Sequence, residues 1–209
     1  MTKMTSSLTL GPSHPSGFSR KFGGHMTIVN RVPTLKPHGK LISLCTGYGG
    51  LDAATTAVLQ ALGRPVTLTA YAEFDDRAAA VFARHHPTVP NLGDITTIDW
   101  SHHDADILTA GYPCQPFSAA GRRLGVNDPR HLWPHVGRAI NELRPDLVVL
   151  ENVRGHLRRG FGVVLTDLAG LGYDARWNVV RASDVGAPHR RERLFIVARP
   201  TPPDADGQP

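Results

Sequence analysis

The sequence predicts an α/β fold: a doubly wound, mostly parallel sheet of about seven strands with helices on both faces. Three observations carry that expectation. From Lys40 to Ala198, short apolar runs alternate with segments of helical period. The run Leu147–Leu150 is wholly apolar, as a strand covered on both faces should be. The first strand passes straight into a glycine-rich turn and a helix, which brings backbone N–H groups up to a ligand.

The totals narrow the field. A chain of 209 residues is long enough for one domain with a real core. No apolar run approaches the roughly 20 residues of a membrane-spanning helix. The N-terminus lacks the charged, apolar, small order of a secretory signal. No membrane partner is expected. Two cysteines, Cys45 and Cys114, make no disulfide framework and point to a reducing, cytoplasmic setting. The formal net charge is +5, from 23 Lys+Arg against 18 Asp+Glu. That balance favours a phosphate-rich partner, although many basic proteins bind no nucleic acid. His85 and His86 are adjacent, point to different faces and make a poor metal pair, so no metal is expected.

Residues 1–38 are rich in Ser, Thr, Gly, Pro and His, show no apolar period, and read as a disordered arm. The folded domain is expected over 39–199, with a disordered tail over 200–209. Its first strand is Lys40–Leu44. The turn Cys45-Thr46-Gly47-Tyr48-Gly49-Gly50 leads to a helical pattern through Leu51, Ala54, Val58 and Leu62, which Gly63 and Pro65 end. The glycine spacing is not the dinucleotide G-x-G-x-x-G, and alone it is weak evidence for a cofactor.

Val66–Ala72 reads as the second strand, with Glu73 at its C-terminal end. An acid there is placed to accept from both ribose hydroxyls of a nucleoside cofactor. The alternative is an acid that starts the next helix, through Ala79, Val81 and Phe82. Asn91–Ile95 reads as a short third strand or a turn, with Asp94 able to accept from an adenine amino group. His102, His103, Asp104 and Asp106 look like a solvated loop. The run from Asp106 to Ala110 then makes a fourth, buried strand.

That strand leads into Gly111-Tyr112-Pro113-Cys114-Gln115-Pro116-Phe117-Ser118. Cys114, between two prolines, sits on a stiff turn. A helix beginning near Phe117 would turn its N-terminal dipole towards the thiol and favour the thiolate. The alternative is a small buried hydrophobe. Ala119–Arg130 carries Arg122, Arg123 and Arg130, and reads either as a lid over nucleic acid or as an ordinary surface loop. A helix follows from Leu132 to Leu143, with Trp133, Val136 and Ile140 on one face.

The fifth strand, Asp146–Leu150, ends in Glu151-Asn152-Val153. A carboxylate and an amide at the mouth of a buried strand are costly unless they face a ligand or a partner. Val163–Leu171 reads as a helix, Tyr173–Val180 as a sixth strand and Leu194–Ala198 as a seventh. Arg190, Arg191 and Arg193 precede the last strand, either as a solvated edge or as fixed donors to a base or phosphate.

Taken together, these stretches resemble the DNA cytosine-C5 methyltransferase family over roughly residues 40 to 198. Ser43–Leu51 resembles its first motif, and Glu73 and Gly93-Asp94-Ile95 the second and third. Gly111–Ser118 resembles the motif that carries the nucleophile. Glu151-Asn152-Val153 and Arg191-Glu192-Arg193-Leu194-Phe195 match two more, all in the family's order.

The resemblance implies a Rossmann-like fold with an antiparallel last strand, S-adenosylmethionine as methyl donor and DNA as substrate. It implies that a cytosine is rotated out of the duplex and that Cys114 attacks its C6. By the same resemblance Glu151 binds N3, Arg193 donates to O2 with Arg191 nearby, and Asn152 orders the Pro113–Cys114 turn. The cofactor would rest on Thr46, Gly47, Gly49 and Gly50, with its ribose on Glu73, its adenine near Asp94 and Ile95, and Pro113 beside it.

Three departures stand out. Cys45 replaces the family's usual phenylalanine, and His189 its usual glutamine. A target recognition domain and the family's final motif are not visible. The sequence is therefore compatible with a compact DNA methyltransferase, with a non-catalytic or split module needing a partner chain, or with a structured RNA substrate. The expected strand order 3-2-1-4-5 also makes Cys45 and Cys114 neighbours, close enough to oxidise in vitro.

Overall fold

The computed structural model describes residues 38–113 and 132–202. The arm up to residue 37, the Cys114 turn with the helix start near Phe117, the Ala119–Arg130 loop, any approach of Cys114 to Cys45 and residues 203–209 lie outside them. Four strands run parallel: β1 (Gly39–Leu44), β2 (Val66–Ala72), β3 (Ile107–Ala110) and β4 (Leu147–Val153). Strands β5 (Tyr173–Arg181) and β6 (Glu192–Pro200) complete a sheet of order β2-β1-β3-β4-β6-β5. β6, the last, is antiparallel to both neighbours.

The described sheet has six strands rather than seven. The expected third strand shrinks to one bridge, Tyr71 to Asn91. The Asn91 side chain explains the loss. It accepts from the N–H groups of Glu73 and Gly93 and donates to the Glu73 carbonyl, while Gly93 turns at φ 76°. A backbone bent to satisfy one amide is no longer free to extend a ladder.

Helices α1 (Gly50–Ala61) and α2 (Asp76–His85) pack on one face of the sheet. Helices α3 (Trp133–Leu143) and α4 (Phe161–Gly170) cover the other. The main core lies on the second side, where Ile42, Leu44, Leu108, Val148 and Leu150 meet Val136, Ile140, Val164 and Leu168. Trp133, Val136 and Ile140 are buried, as their spacing predicts. The Trp133 indole donates to Asp167 at 2.7 Å and ties α3 to α4. Arg138 donates to the carbonyls of Ile95 and Ile98, and holds α3 against the loop after Asn91.

Helix α1 is rotated from the expected setting. Its buried residues are Asp52, Thr55 and Leu59, whereas Val58 and Leu62 are exposed. The cause is the polar top of the sheet beneath it. Ser43 and Thr109 alternate with the apolar Leu41 and Ile107 on this face, and both hydroxyls donate to Asp52. Turning the apolar stripe inward would strand those hydroxyls without partners. Asp106 is also not solvated. It is buried, and its carboxylate accepts the Lys40 N–H at 2.8 Å, next to the Lys40–Asp104 ion pair. Among the described residues, no helix is long and apolar enough to cross a membrane.

The start of α1 depends on one glycine. Gly49 has φ 78°, and a Cβ built on it would lie 2.4 Å from the Phe82 ring of α2. Gly49→Ala therefore combines left-handed strain with an overpacked contact, and should destabilise the fold by about 2 kcal/mol or more. Urea unfolding measures this directly. An unshifted midpoint would refute the packing account.

Candidate active site

The parallel strands end in step. Leu44 pairs with both Ala72 and Ala110, and Ala110 pairs with Leu150. The next residue on each strand therefore falls in one row across the sheet edge: Glu73, Cys45, Gly111 and Glu151. Three strand spacings separate the two acids, about 14 Å of backbone. Two cavities open along this row, of about 460 and 310 Å³. They share Cys45 and Gly111 as a common wall.

The larger cavity is lined by Thr46, Gly47, Gly50, Asp52, Glu151 and Arg191, among others. The smaller is lined by Glu73, Phe74, Asp94, Ile95, Pro113 and Leu132. Gly49, Asn152 and Arg193 belong to neither lining. Gly49 serves the contact with Phe82 instead. Cys114 lies outside the described residues.

Glu73 is not the cap of α2. That role belongs to Asp75, which accepts from the N–H groups of Arg77 and Ala78. Glu73 instead accepts from Gly47 N at 2.7 Å and Asp75 N at 2.9 Å, clasping the glycine turn to the end of β2. Each oxygen keeps a second lone pair. Beside it, Ala72, Ile95 and Leu132 make an apolar slot with Asp94 at its edge. An acid next to a flat apolar slot suits a nucleoside, with hydroxyls on the acid and the ring in the slot. Phe74, exposed at the rim, has no place in the sequence reading, yet it belongs to this slot.

Glu151 lies beyond the parallel sheet, where β4 continues against β6 alone. Its carboxylate reaches towards Gly111, where a Cβ would lie 3.9 Å from Oε2 and 3.5 Å from the Cys45 carbonyl. Arg193 donates its Nε to Glu151 at 2.6 Å, and both side chains are 27% exposed. Burial pushes the Glu151 pKa above the usual carboxylate range, although the charges of Arg193 and Arg191 pull the other way. The result is an acid that accepts a proton more readily than a free glutamate while remaining oriented by an arginine.

Between the two arginines, Glu192 binds Arg154 at 2.7 Å and Arg181 at 2.9 Å, and these contacts hold its carboxyl below the usual range. That bridge fixes the start of β6. Asn152, on the opposite face from Glu151, is buried and donates to the Tyr112 carbonyl at 3.0 Å. It braces the residue before Pro113 from behind. The Tyr112 hydroxyl meets His156 Nε2 at 3.1 Å, a second brace that sequence reasoning missed. Apolar or aromatic neighbours, Trp133 and Phe161, surround the pair. A histidine three residues beyond a strand gives no signal without the fold.

Cys45 has φ 49° and Arg191 φ 29°. These are two of the three described non-glycine residues with a positive φ, and both line the larger cavity. Such conformations cost about 1–3 kcal/mol each and collect at functional sites. No group of three or more His, Cys, Asp or Glu able to hold a metal is present among the described residues.

The family model for C-5 cytosine-specific DNA methylases matches residues 39–202. The chain belongs to that family. Among its relatives, the Type II methyltransferase M.NlaIV of Neisseria lactamica is 33% identical over 170 residues, 75% of this chain and 40% of that protein. M.BsuFI of Bacillus subtilis is 39% identical over 131 residues, 60% of this chain and 32% of that one. This methylase-family chain thus spans less than half the length of either relative. Of the solved structures, the S. pombe Dnmt2 methyltransferase superposes with a TM-score of 0.65 at 21% identity, covering 78% of this chain and 51% of that one. That likeness supports the Rossmann-like fold.

Cys45 offers a test of the site's electrostatics. Burial, with the nearby charges of Glu73 and Asp94, pushes its thiol from 9.0 up to about 12. That makes its thiolate scarcer near pH 8 by roughly two to three orders of magnitude. In a Cys114→Ser protein, iodoacetamide should label Cys45 that much more slowly than a free thiol, and at the ordinary rate in urea. Rapid labelling of the folded protein would contradict this arrangement.

Proposed function

We propose that this chain carries the catalytic centre of a DNA cytosine-C5 methyltransferase that uses S-adenosylmethionine. The observation that carries the reading is the convergence of Glu151, the Gly111–Pro113 strand end and the glycine turn on one cleft. Cys114 follows Pro113 directly in the chain.

The cleft suits the donor. Glu73 would accept the ribose hydroxyls, and Ile95, Asp94 and Pro113 would flank the adenine. Thr46, Gly47 and Gly50 would border the remainder. When bound, S-adenosylmethionine supplies an electrophilic methyl group on a sulfonium sulfur and departs as S-adenosylhomocysteine.

The substrate is a cytosine rotated out of the DNA, since its ring carbons are inaccessible within the stack. The Cys114 thiolate forms a bond to C6, and Glu151 supplies a proton at N3 to offset the charge building in the ring. C5 becomes nucleophilic and gains the methyl group. A solvent water acting as base then takes the C5 proton, the Cys114–C6 bond breaks and restores the thiolate, and N3 returns its proton to Glu151. Arg193 orients Glu151 and donates to the cytosine O2, with Arg191 beside it. Asn152 and Tyr112 hold the strand end from behind.

A second reading has one observation behind it: the chain spans 40% of M.NlaIV and 32% of M.BsuFI. A further polypeptide segment would then supply target recognition, and methyl transfer would appear only when it is added.

Methyl transfer from labelled S-adenosylmethionine to unmethylated DNA tests the first reading. Wild-type protein should label DNA at cytosine C5. Cys114→Ser should reduce labelling to background, and Glu151→Gln should slow it by roughly 10²–10⁴-fold. No transfer by the chain alone, but transfer on adding a second segment, would favour the second reading. Undiminished transfer by Cys114→Ser would exclude the covalent route.

A further inference from the structure

Asp52 stands apart from the residues the reaction uses. It is 5% exposed and sits on the floor of the larger cavity, beneath the glycine turn. Its Oδ2 accepts from Ser43 Oγ at 2.9 Å, and its Oδ1 accepts from Thr109 Oγ1. Ser43 Oγ in turn meets Thr46 Oγ1 at 2.9 Å, so the network reaches the turn itself. Every one of these partners is a neutral hydroxyl. No arginine or lysine pairs with Asp52 among the described residues, and His86 acts on it only weakly.

A buried carboxylate held by two neutral donors is an unbalanced charge. Burial pushes its pKa above the usual carboxylate range despite both hydroxyls. The fold tolerates a site that a cation would improve. Glu151, the other carboxylate of this cavity, already has Arg193 as its partner.

The two cavities give the ligand a direction. An adenosine seated on Glu73 and Ile95 fills the smaller one, and the rest of the molecule must pass the Cys45–Gly111 wall into the larger. The methionine end carries an ammonium group. We propose that Asp52 is the residue that receives this ammonium, through a charge-assisted hydrogen bond beneath the Thr46–Gly50 turn. This rests on the proposed use of S-adenosylmethionine, and assigns the part of that ligand which the nucleoside contacts leave unexplained. Asp52 is a binding residue, with no part in the bond changes at cytosine.

Calorimetric titration tests the assignment without turnover. The probes are S-adenosylhomocysteine, which has the ammonium, its desamino analogue S-adenosyl-4-thiobutanoate, and 5′-methylthioadenosine, which lacks the whole tail. Wild-type protein should bind S-adenosylhomocysteine about tenfold or more tightly than the desamino analogue, the size expected of one charge-assisted bond. Asp52→Asn should lose about that factor for S-adenosylhomocysteine and less than twofold for 5′-methylthioadenosine. The wild-type comparison needs no variant, so a poorly folded Asp52→Asn leaves the test intact.

Equal affinity of the wild type for S-adenosylhomocysteine and its desamino analogue would overturn the proposal. So would an equal loss of both ligands in Asp52→Asn, or a loss seen with S-adenosylmethionine but not with S-adenosylhomocysteine. Each of these leaves the methyltransferase reading standing. Failure of the wild type to bind any of the adenosyl ligands would overturn that reading as well.

Discussion

The matched ends of the parallel strands are the constraint on which the site depends. Leu44, Ala72, Ala110 and Leu150 stop in register, so the residues that follow them emerge side by side. A one-residue slip in any ladder would turn an acid from the cleft into the core or the solvent. The register is held by apolar side chains on the α3 and α4 face, where Leu44, Leu108, Ala110 and Leu150 are fully buried. The chemistry at the edge is therefore positioned by hydrophobic packing below it. The edge itself contributes charge, strain and open space.

The two faces divide this labour. On the α3 and α4 side, the contacts are apolar and continuous. On the α1 side, the lower part is apolar through Leu41, Leu59 and Ile107, and the upper part is a hydroxyl and carboxylate layer. A polar layer in that position is less forgiving than an apolar one, because each member needs its partner. It also sets the rotation of α1, and with it the height of the glycine turn above the sheet.

Much of this is legible in the sequence. The strand ends at Glu73, Glu151 and Gly111 follow from apolar runs bounded by polar or glycine residues, and those signals survive in the fold. The failures share a cause. In α1 the stripe Leu51, Ala54, Val58 and Leu62 is the more hydrophobic, yet Asp52, Thr55 and Leu59 point inward. Periodicity measures a helix's own amphipathicity and is blind to the hydroxyls waiting on the sheet. Asn91 replaced a strand with a side-chain clamp, and Asp106 lies buried with its carboxylate accepting the Lys40 N–H. Each outcome depends on a partner distant in sequence. The Tyr112–His156 contact belongs to the same class, its members 44 positions apart.

The Phe82 ring has a wider consequence than its place in a helix suggests. It lies between a tilted Tyr71 ring and a stacked His86 ring, at centroid distances of 4.5 and 4.4 Å, and its edge closes on the bare Cα of Gly49. The curve of the glycine turn is thus moulded by an aromatic plug from the neighbouring βα unit, which lines neither cavity. Trimming that plug would leave a void under the loop and give it a second way to settle. The loss would register first as a less sharply shaped cavity beside the turn, well before the domain lost its shape.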